Sequence, residues 1–420
     1  MRVLLKKACI VAPGQPEDGK TRDVLIENGV ITRIAEDAGS EAEEIFSGDH
    51  LHVSPGWMDI FANFCDPGYE YKEDLASGAR AAAAGGFTEV MLVPNTLPAI
   101  ETKAQTEYIV SHNPRLAATL HPIGAVSQGL KGQSLAEMYE MHQGGALAFS
   151  DGTAPVQHSG LLLKALQYIK AFGGILIQVP DDTGISHHGL MHEGIWSTRL
   201  GMAGVPAIAE EIMLKRDLDL LRYTDSRLHF TGVSLERSIE LIAQAKAAGL
   251  QVSASVTPHH LMFTDESLQQ YDSHFKVTPP LREARDVEAL RKAVTDGVID
   301  CIATHHFPQD ADNKQKEFEY AAPGMTGLET CFGILGATLP EMTIAQLVGL
   351  LAVNPRRLFA RPIPEIREGA TASLTIFDPT REWTVEAKDL KSKSRNTPLI
   401  GRKLKGRVLG TYHNQLLNRN

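Results

Sequence analysis

From residue 56 to residue 305 the chain repeats one motif eight times: a short apolar or β-branched run, a polar or Gly/Pro loop, then a helical stretch. The candidate strands are 56–63, 89–95, 121–127, 146–151, 174–179, 227–234, 251–257 and 298–305. Between them lie segments rich in Ala, Leu and charged residues, such as 75–84, 161–172, 235–248 and 287–295. In 235–248, Leu235, Ile239, Ile242 and Ala243 recur at the helical period. Strands joined through helices pair in parallel, and eight such units predict a closed (β/α)8 barrel. A helical insert at 192–224 lengthens the path between the fifth and sixth strands.

The flanks follow another rule. Residues 1–54 alternate short strands and turns, and Asn28-Gly29 between two apolar runs is a strong hairpin signal. Residues 365–420 read alike, in ASLTIFDP, EWTV and GRVLGTYHNQ. Neither flank is long enough to bury a core alone. The expectation is one small composite β domain built from 1–54 plus 365–420, packed beside a barrel domain at 55–364.

Composition narrows the class. Hydrophobic residues make up 43% of the 420-residue chain and charged residues 22%, ordinary for a globular protein. The net charge of −10 argues against nonspecific binding to nucleic acid or anionic membrane. No apolar run reaches the roughly 18 residues of a membrane span, and the N-terminus shows no convincing signal-peptide cleavage site. Cys9, Cys65, Cys301 and Cys331 are scattered, with no CxxC pair, which points to a reducing cytoplasm and away from a cysteine zinc site. The chain carries no Walker A loop, GxSxG elbow or Rossmann fingerprint.

The stretch SPGWMDIFANFCDPG at 54–68 resembles the first barrel strand of the cyclic amidohydrolases, specifically the dihydroorotase family. The likeness continues in order through GGFTEVMLVPNT (85–96), GALAFSDG (145–152), LGMAGVPAIAEEIMLKRDLDLL (200–221) and RLHFTGVSLERSIELI (227–242). It runs on through SASVTPHHL (253–261), KVTPPLR (276–282), DCIATHHFP (300–308), GMTGLET (324–330) and SKSRNTPLIGRKLKGRVLGT (392–411). It covers nearly the whole chain and is most similar to the longer bacterial type. The resemblance implies an amidohydrolase barrel with composite flanks, and zinc at the C-terminal strand ends to activate water for amide hydrolysis.

Position by position this sequence departs from that pattern. The family's His-x-His pair is Phe61 and Asn63, and the substrate-binding Arg two places on is Cys65. The Asp-Asp-Gly after the fourth strand is Asp151-Gly152, the fifth-strand His is Gln178 and the sixth-strand His is Gly232. The catalytic Asp is His305, and the Asn before Pro-Pro-Leu-Arg is Thr278. Phe offers no lone pair, and an Asn amide is a poor zinc ligand beside imidazole. Only Asp151 and His305 remain as donors at these positions, so no metal is expected unless they support a rearranged zinc site.

Each remaining candidate has a structural reading beside the functional one. Asp151 reads as a loop cap or structural hydrogen-bond acceptor. His305-His306 reads as structural, since neighbours on a strand face opposite ways. His187-His188 with His192, on a Gly-containing loop, reads as solvated, and His259-His260 as a family feature of the seventh strand end. Asn95 stands between substrate contact and turn chemistry, and His306 is a second substrate-binding candidate.

The reading that follows is a catalytically silent dihydroorotase homologue of pyrimidine synthesis, expected as a homodimer. The resemblance suggests aspartate carbamoyltransferase as a structural partner. Two alternatives stand beside it: an active cyclic amidohydrolase with a rearranged site using Asp151, His305 and His306, and a ligand-binding or sensor protein with a pocket at Asn95.

Overall fold

The structure, a computed structural model, describes residues 1–420. Eight parallel strands pair in chain order: Trp57–Ala62, Phe87–Leu92, Thr119–Gly124, Ala148–Phe149, Leu176–Gln178, Leu228–Phe230, Val252–Val256 and Cys301–Ile302. Every residue of the first two strands is buried, as expected when helices cover one face of a sheet and side chains fill the other. A parallel bridge from Ala62 to His306 joins the first strand to the chain beyond the eighth. The Asn63 amide adds a hydrogen bond to the His306 carbonyl at 2.9 Å. Where the eighth strand has run out, the buried Asp59 carboxyl continues the closure by accepting from the Thr304 amide at 2.7 Å and its hydroxyl at 2.8 Å.

The helix expected at 75–84 forms as Leu75–Ala84. Asp74 caps it by accepting from the Ser77 amide at 2.7 Å, and Ser77 reciprocates to the Asp74 amide at 3.1 Å. The 192–224 insert corrects its reading as simply helical. Met191–His192 and Gly204–Val205 form a small parallel ribbon around the short helix Ile195–Leu200, and only Ile208–Thr224 is a long helix.

The second sheet draws strands from both chain ends, in the order Leu416–Arg419, Lys403–His413, Leu374–Thr384, His52–Pro55, Arg2–Ile10, Thr21–Glu27 and Val30–Ala35. Glu44–Phe46 pairs alongside Arg2–Ile10. Asn28 (φ 50°) and Gly29 (φ 89°) make the tight turn, both in the left-handed region that this short hairpin requires. Val3, Leu5, Ile10, Val53, Leu374 and Ile376 share the sheet's own apolar cluster. No helix is long and apolar enough to cross a membrane.

Near the N-terminal ends of the first three strands, Arg356 is fully buried. Its guanidinium donates to Glu89 at 2.8 and 3.1 Å and to the Gly56 and Ala352 carbonyls at 2.6 and 2.8 Å. His121 closes on the other Glu89 oxygen at 2.8 Å. Removing Arg356 leaves the buried Glu89 carboxylate with only His121 and the more distant Arg361, whose Nε lies 3.5 Å away, so Arg356→Ala is expected to cost about 3 kcal/mol. Denaturant unfolding checks this, and a loss under about 1 kcal/mol would reject it.

Candidate functional site at the barrel mouth

The C-terminal ends of the strands open on a cavity of about 290 Å³. Its polar lining is Asn63, Thr153, His259, Thr278, His305 and Gln309, and Val277, Phe307 and Met325 supply apolar surface. Loops after the first, fourth, seventh and eighth strands therefore converge on it, as barrel geometry dictates.

Beneath this cavity the barrel interior is filled. Phe61 is fully buried in an apolar cluster that includes Met91, Ile123 and Ile177. The His305 ring lies against it, with centroids 4.7 Å apart. Gly232 sits at φ 68°, and a Cβ there would come within 2.7 Å of the His305 ring and 3.2 Å of Pro279. His305 thus occupies the space that any side chain at 232 would need.

His305 is also bonded into the barrel. Its Nε2 meets the Thr231 hydroxyl at 2.8 Å, Thr231 meets Ser255 at 2.9 Å, and Ser255 meets His229 Nε2 at 2.9 Å. The chain ends at His229 Nδ1 and Ser253, 2.8 Å apart. Burial pushes the His229 and His305 imidazoles down to about 3. It drives His259 well below its usual value, with the His260 and His305 rings adding to the effect. His260 is held down at about 4, first by burial and then by Arg282. Its ring is fixed between the Thr257 hydroxyl at 2.8 Å and the Pro279 carbonyl at 3.1 Å, which pins the Pro279-Pro280 loop. These rings are neutral near pH 7.

The other candidates go elsewhere. Asp151 accepts from the Val126 and Ser127 amides at 2.9 Å each and from the Ser127 hydroxyl, so its carboxyl ties the third strand end to the fourth. Burial raises it. Gln178 bridges the Val156 amide at 3.3 Å and Asp217 at 3.2 Å. Asn95 donates to the Asp151 carbonyl at 3.2 Å and accepts from the Thr153 amide at 3.1 Å, and it does not line the cavity. Asn63 accepts from the Cys65 amide at 2.7 Å.

His306 points away from His305. It accepts from the Gly327 amide at 3.2 Å and lies 3.6 Å from the buried Glu73, which also takes the Ser77 and Ser392 hydroxyls. It therefore braces the barrel against the 392–396 segment and does not reach the cavity. His192 is corrected as well. It is buried in the small ribbon, with Nδ1 3.0 Å from Arg282, and is not part of a solvated cluster with His187 and His188.

The side chains present do not fit a zinc site at the mouth. Four of the six positions at which the sequence resemblance expects ligands hold Phe61, Asn63, Gln178 and Gly232, and Asp151 spends both oxygens on the third-strand loop. No three His, Cys, Asp or Glu side chains converge on one point. Sequence reasoning missed Thr153, Phe307 and Gln309 as lining residues. Gln309 stands four residues past His305 in an irregular loop, where no periodicity marks which side chain turns inward.

The barrel with its two-ended sheet is the architecture of the cyclic amidohydrolases. Solved structures of L-hydantoinase from Arthrobacter aurescens (TM-score 0.84, 23% identity, 99% of this chain and 95% of that one) and dihydropyrimidinase from Brevibacillus agri (TM-score 0.82, 18% identity, 99% and 95%) share it. The family model described as Dihydro-orotase-like matches residues 51–237. The chain is 40% identical to a dihydroorotase of Syntrophus aciditrophicus over 418 residues, covering 98% of this chain and 97% of that one. It is 41% identical to a dihydroorotase of Pelotomaculum thermopropionicum over 411 residues, covering 97% and 96%. This chain belongs to the dihydroorotase family.

Proposed function

We propose that this chain serves pyrimidine synthesis as a dihydroorotase-family protein whose own barrel does not carry out zinc-dependent ring hydrolysis. The observation that supports this is the His305 ring packed against Phe61 and over Gly232, three positions that the resemblance assigns to the family's ligand and catalytic residues. Each good ligand contributes several kcal/mol to a metal-binding free energy on the order of 10 kcal/mol, and no outer-sphere adjustment replaces four of them. A structural role beside aspartate carbamoyltransferase, as a homodimer, accords with a preserved scaffold and a rebuilt interior. Co-purification from the native cell tests that partner, and its absence at native concentrations counts against it.

A second reading is favoured by a different observation, the roughly 40% identity over nearly full length to proteins named dihydroorotase. It holds that the chain is an active cyclic amidohydrolase with a rearranged site around His305. One experiment separates the two. Protein purified with zinc available is assayed for metal and for dihydroorotate turnover. The first reading expects under about a tenth of a zinc per chain and a rate at least about 10³-fold below a zinc-loaded relative. The second expects stoichiometric metal or measurable turnover that His305→Ala abolishes.

A further inference from the structure

We propose that a second cavity, between the 310–315 turn and the 393–396 segment, binds a phosphoryl group, either free phosphate or the phosphate of a small monoester. This void of about 230 Å³ adjoins the barrel mouth at Gln309, which borders both.

Its lining is cationic. Lys314, Lys393 and Arg395 face it against one carboxylate, Asp310, so three positive charges against one negative leave two positive charges, on a chain whose net charge is −10. His274, also in the lining, forms a pair of its own with Asp272 at 2.7 Å. The nearby acids are already engaged. Asp310 accepts from the Asn313 side-chain amide at 2.5 Å and Glu70 from the Gly68 amide at 2.7 Å. Asp74 pairs with Lys393 while capping the helix Leu75–Ala84.

Lys314 and Arg395 meet backbone carbonyls where a buried cation would ordinarily meet a carboxylate. Lys314 donates to Ala322 and Gly324 at 3.0 and 3.2 Å. Arg395 donates to Ala387 and Leu390 at 2.9 Å each, to Ser394 at 3.1 Å and to Ser392. Carbonyl oxygens orient a cation without neutralising it. As loop struts alone, these positions would be served by neutral donors, which carry no charge to desolvate. The strain falls hardest on Lys314, whose side chain is buried. Burial, with Lys276 adding to it, pulls its ammonium down to about 8.

The donors are not exhausted. An ammonium offers three N–H groups and a guanidinium five. Lys314 uses two, Lys393 uses two on the Glu70 carbonyl and Asp74, and Arg395 uses four. Each therefore keeps one N–H. Three N–H groups on three cations around one void suit a tetrahedral oxyanion, and a phosphate's charge of nearly two matches the surplus. A planar carboxylate would leave one of those charges unmet. At the rim, the exposed Tyr71 ring offers a face for the organic part of a monoester.

Inorganic phosphate and glycerol 3-phosphate, titrated separately into the full chain by calorimetry near neutral pH, test the site. About 0.1 M KCl screens loose surface attraction. At least one probe should saturate with a Kd below about 5 mM. A tighter monoester marks the ester as the ligand, and equal or tighter phosphate marks the free ion. Lys393 is exposed and Asp310 half-buried, so variants at both should fold. Lys393→Gln should weaken binding about tenfold, and Asp310→Asn, which removes the one lining carboxylate, should tighten it about threefold. Failure of both probes to saturate by about 20 mM overturns the proposal, as do affinities within about twofold of wild type in both variants.

Discussion

Between about pH 7 and about pH 5 the protein is expected to lose several kcal/mol of stability, because its buried histidines are held neutral. Burial drives His229 and His305 to about 3 and His192, His260 and His413 to about 4, and His259 moves the same way. In the unfolded chain each imidazole binds a proton below about pH 6.5, while the folded chain refuses it until far lower. Stability is therefore untouched above about pH 6.5 and falls as pH drops beneath it. At about pH 5 each of the five with stated values contributes about 2 kcal/mol of destabilisation, together about 10 kcal/mol. Buried carboxyls act in the opposite sense. Burial raises Asp59, Asp217 and Asp265 to about 6 and lifts Asp151, Asp181, Asp286 and Glu329 in the same direction, so the folded state takes up their protons first, which returns about 1 kcal/mol for each of Asp59 and Asp217 and adds a smaller return from the others. The remainder, several kcal/mol, is a large share of the stability of an ordinary domain, about 5–15 kcal/mol. Denaturant unfolding followed by tryptophan fluorescence across this range is the measurement. An unchanged midpoint between the two pH values would show that these imidazoles are not neutral in the fold.

The second large effect concerns any attempt to rebuild the family's metal site. Gly232→His is expected to cost about 3 kcal/mol and to bind no zinc. At φ 68° an L side chain is strained by about 1–2 kcal/mol. Its Cβ would press on His305 at 2.7 Å, where the ring cannot yield without losing its bond to Thr231. Adding Phe61→His does not relieve this, because the crowding comes from His305 itself. Thermal unfolding and metal content of the single and double variants decide the matter. A double variant that holds one zinc at wild-type stability would mean that the interior repacks far more freely than its contacts imply.

Local patterns carried much of the fold. Apolar runs spaced by Gly and Pro loops mark all eight barrel strands, and the helical period marks Leu75–Ala84 and Glu236–Ala247 to within a residue of their expected limits. Asn28-Gly29 foretells its hairpin, because few other pairs tolerate two left-handed residues in succession. These signals are local: the backbone preference and the side-chain period lie within a few residues of each other. The chemistry of the missing donors is equally legible, since Phe61 cannot ligate a metal in any fold.

What only the tertiary structure decided is where distant side chains meet. Asp59 closes the barrel on Thr304, and Arg356 reaches Glu89, across separations no periodicity records. His305 and His306 are adjacent in sequence, yet one fills the space above Gly232 and the other braces Glu73. His192 turns out buried against Arg282, and Gln309 enters the cavity lining from an irregular loop. The sequence determined which atoms were available and which barrel would carry them. Their partners depended on loop paths and packing, which bring together residues whose separation along the chain bears no relation to their distance in space.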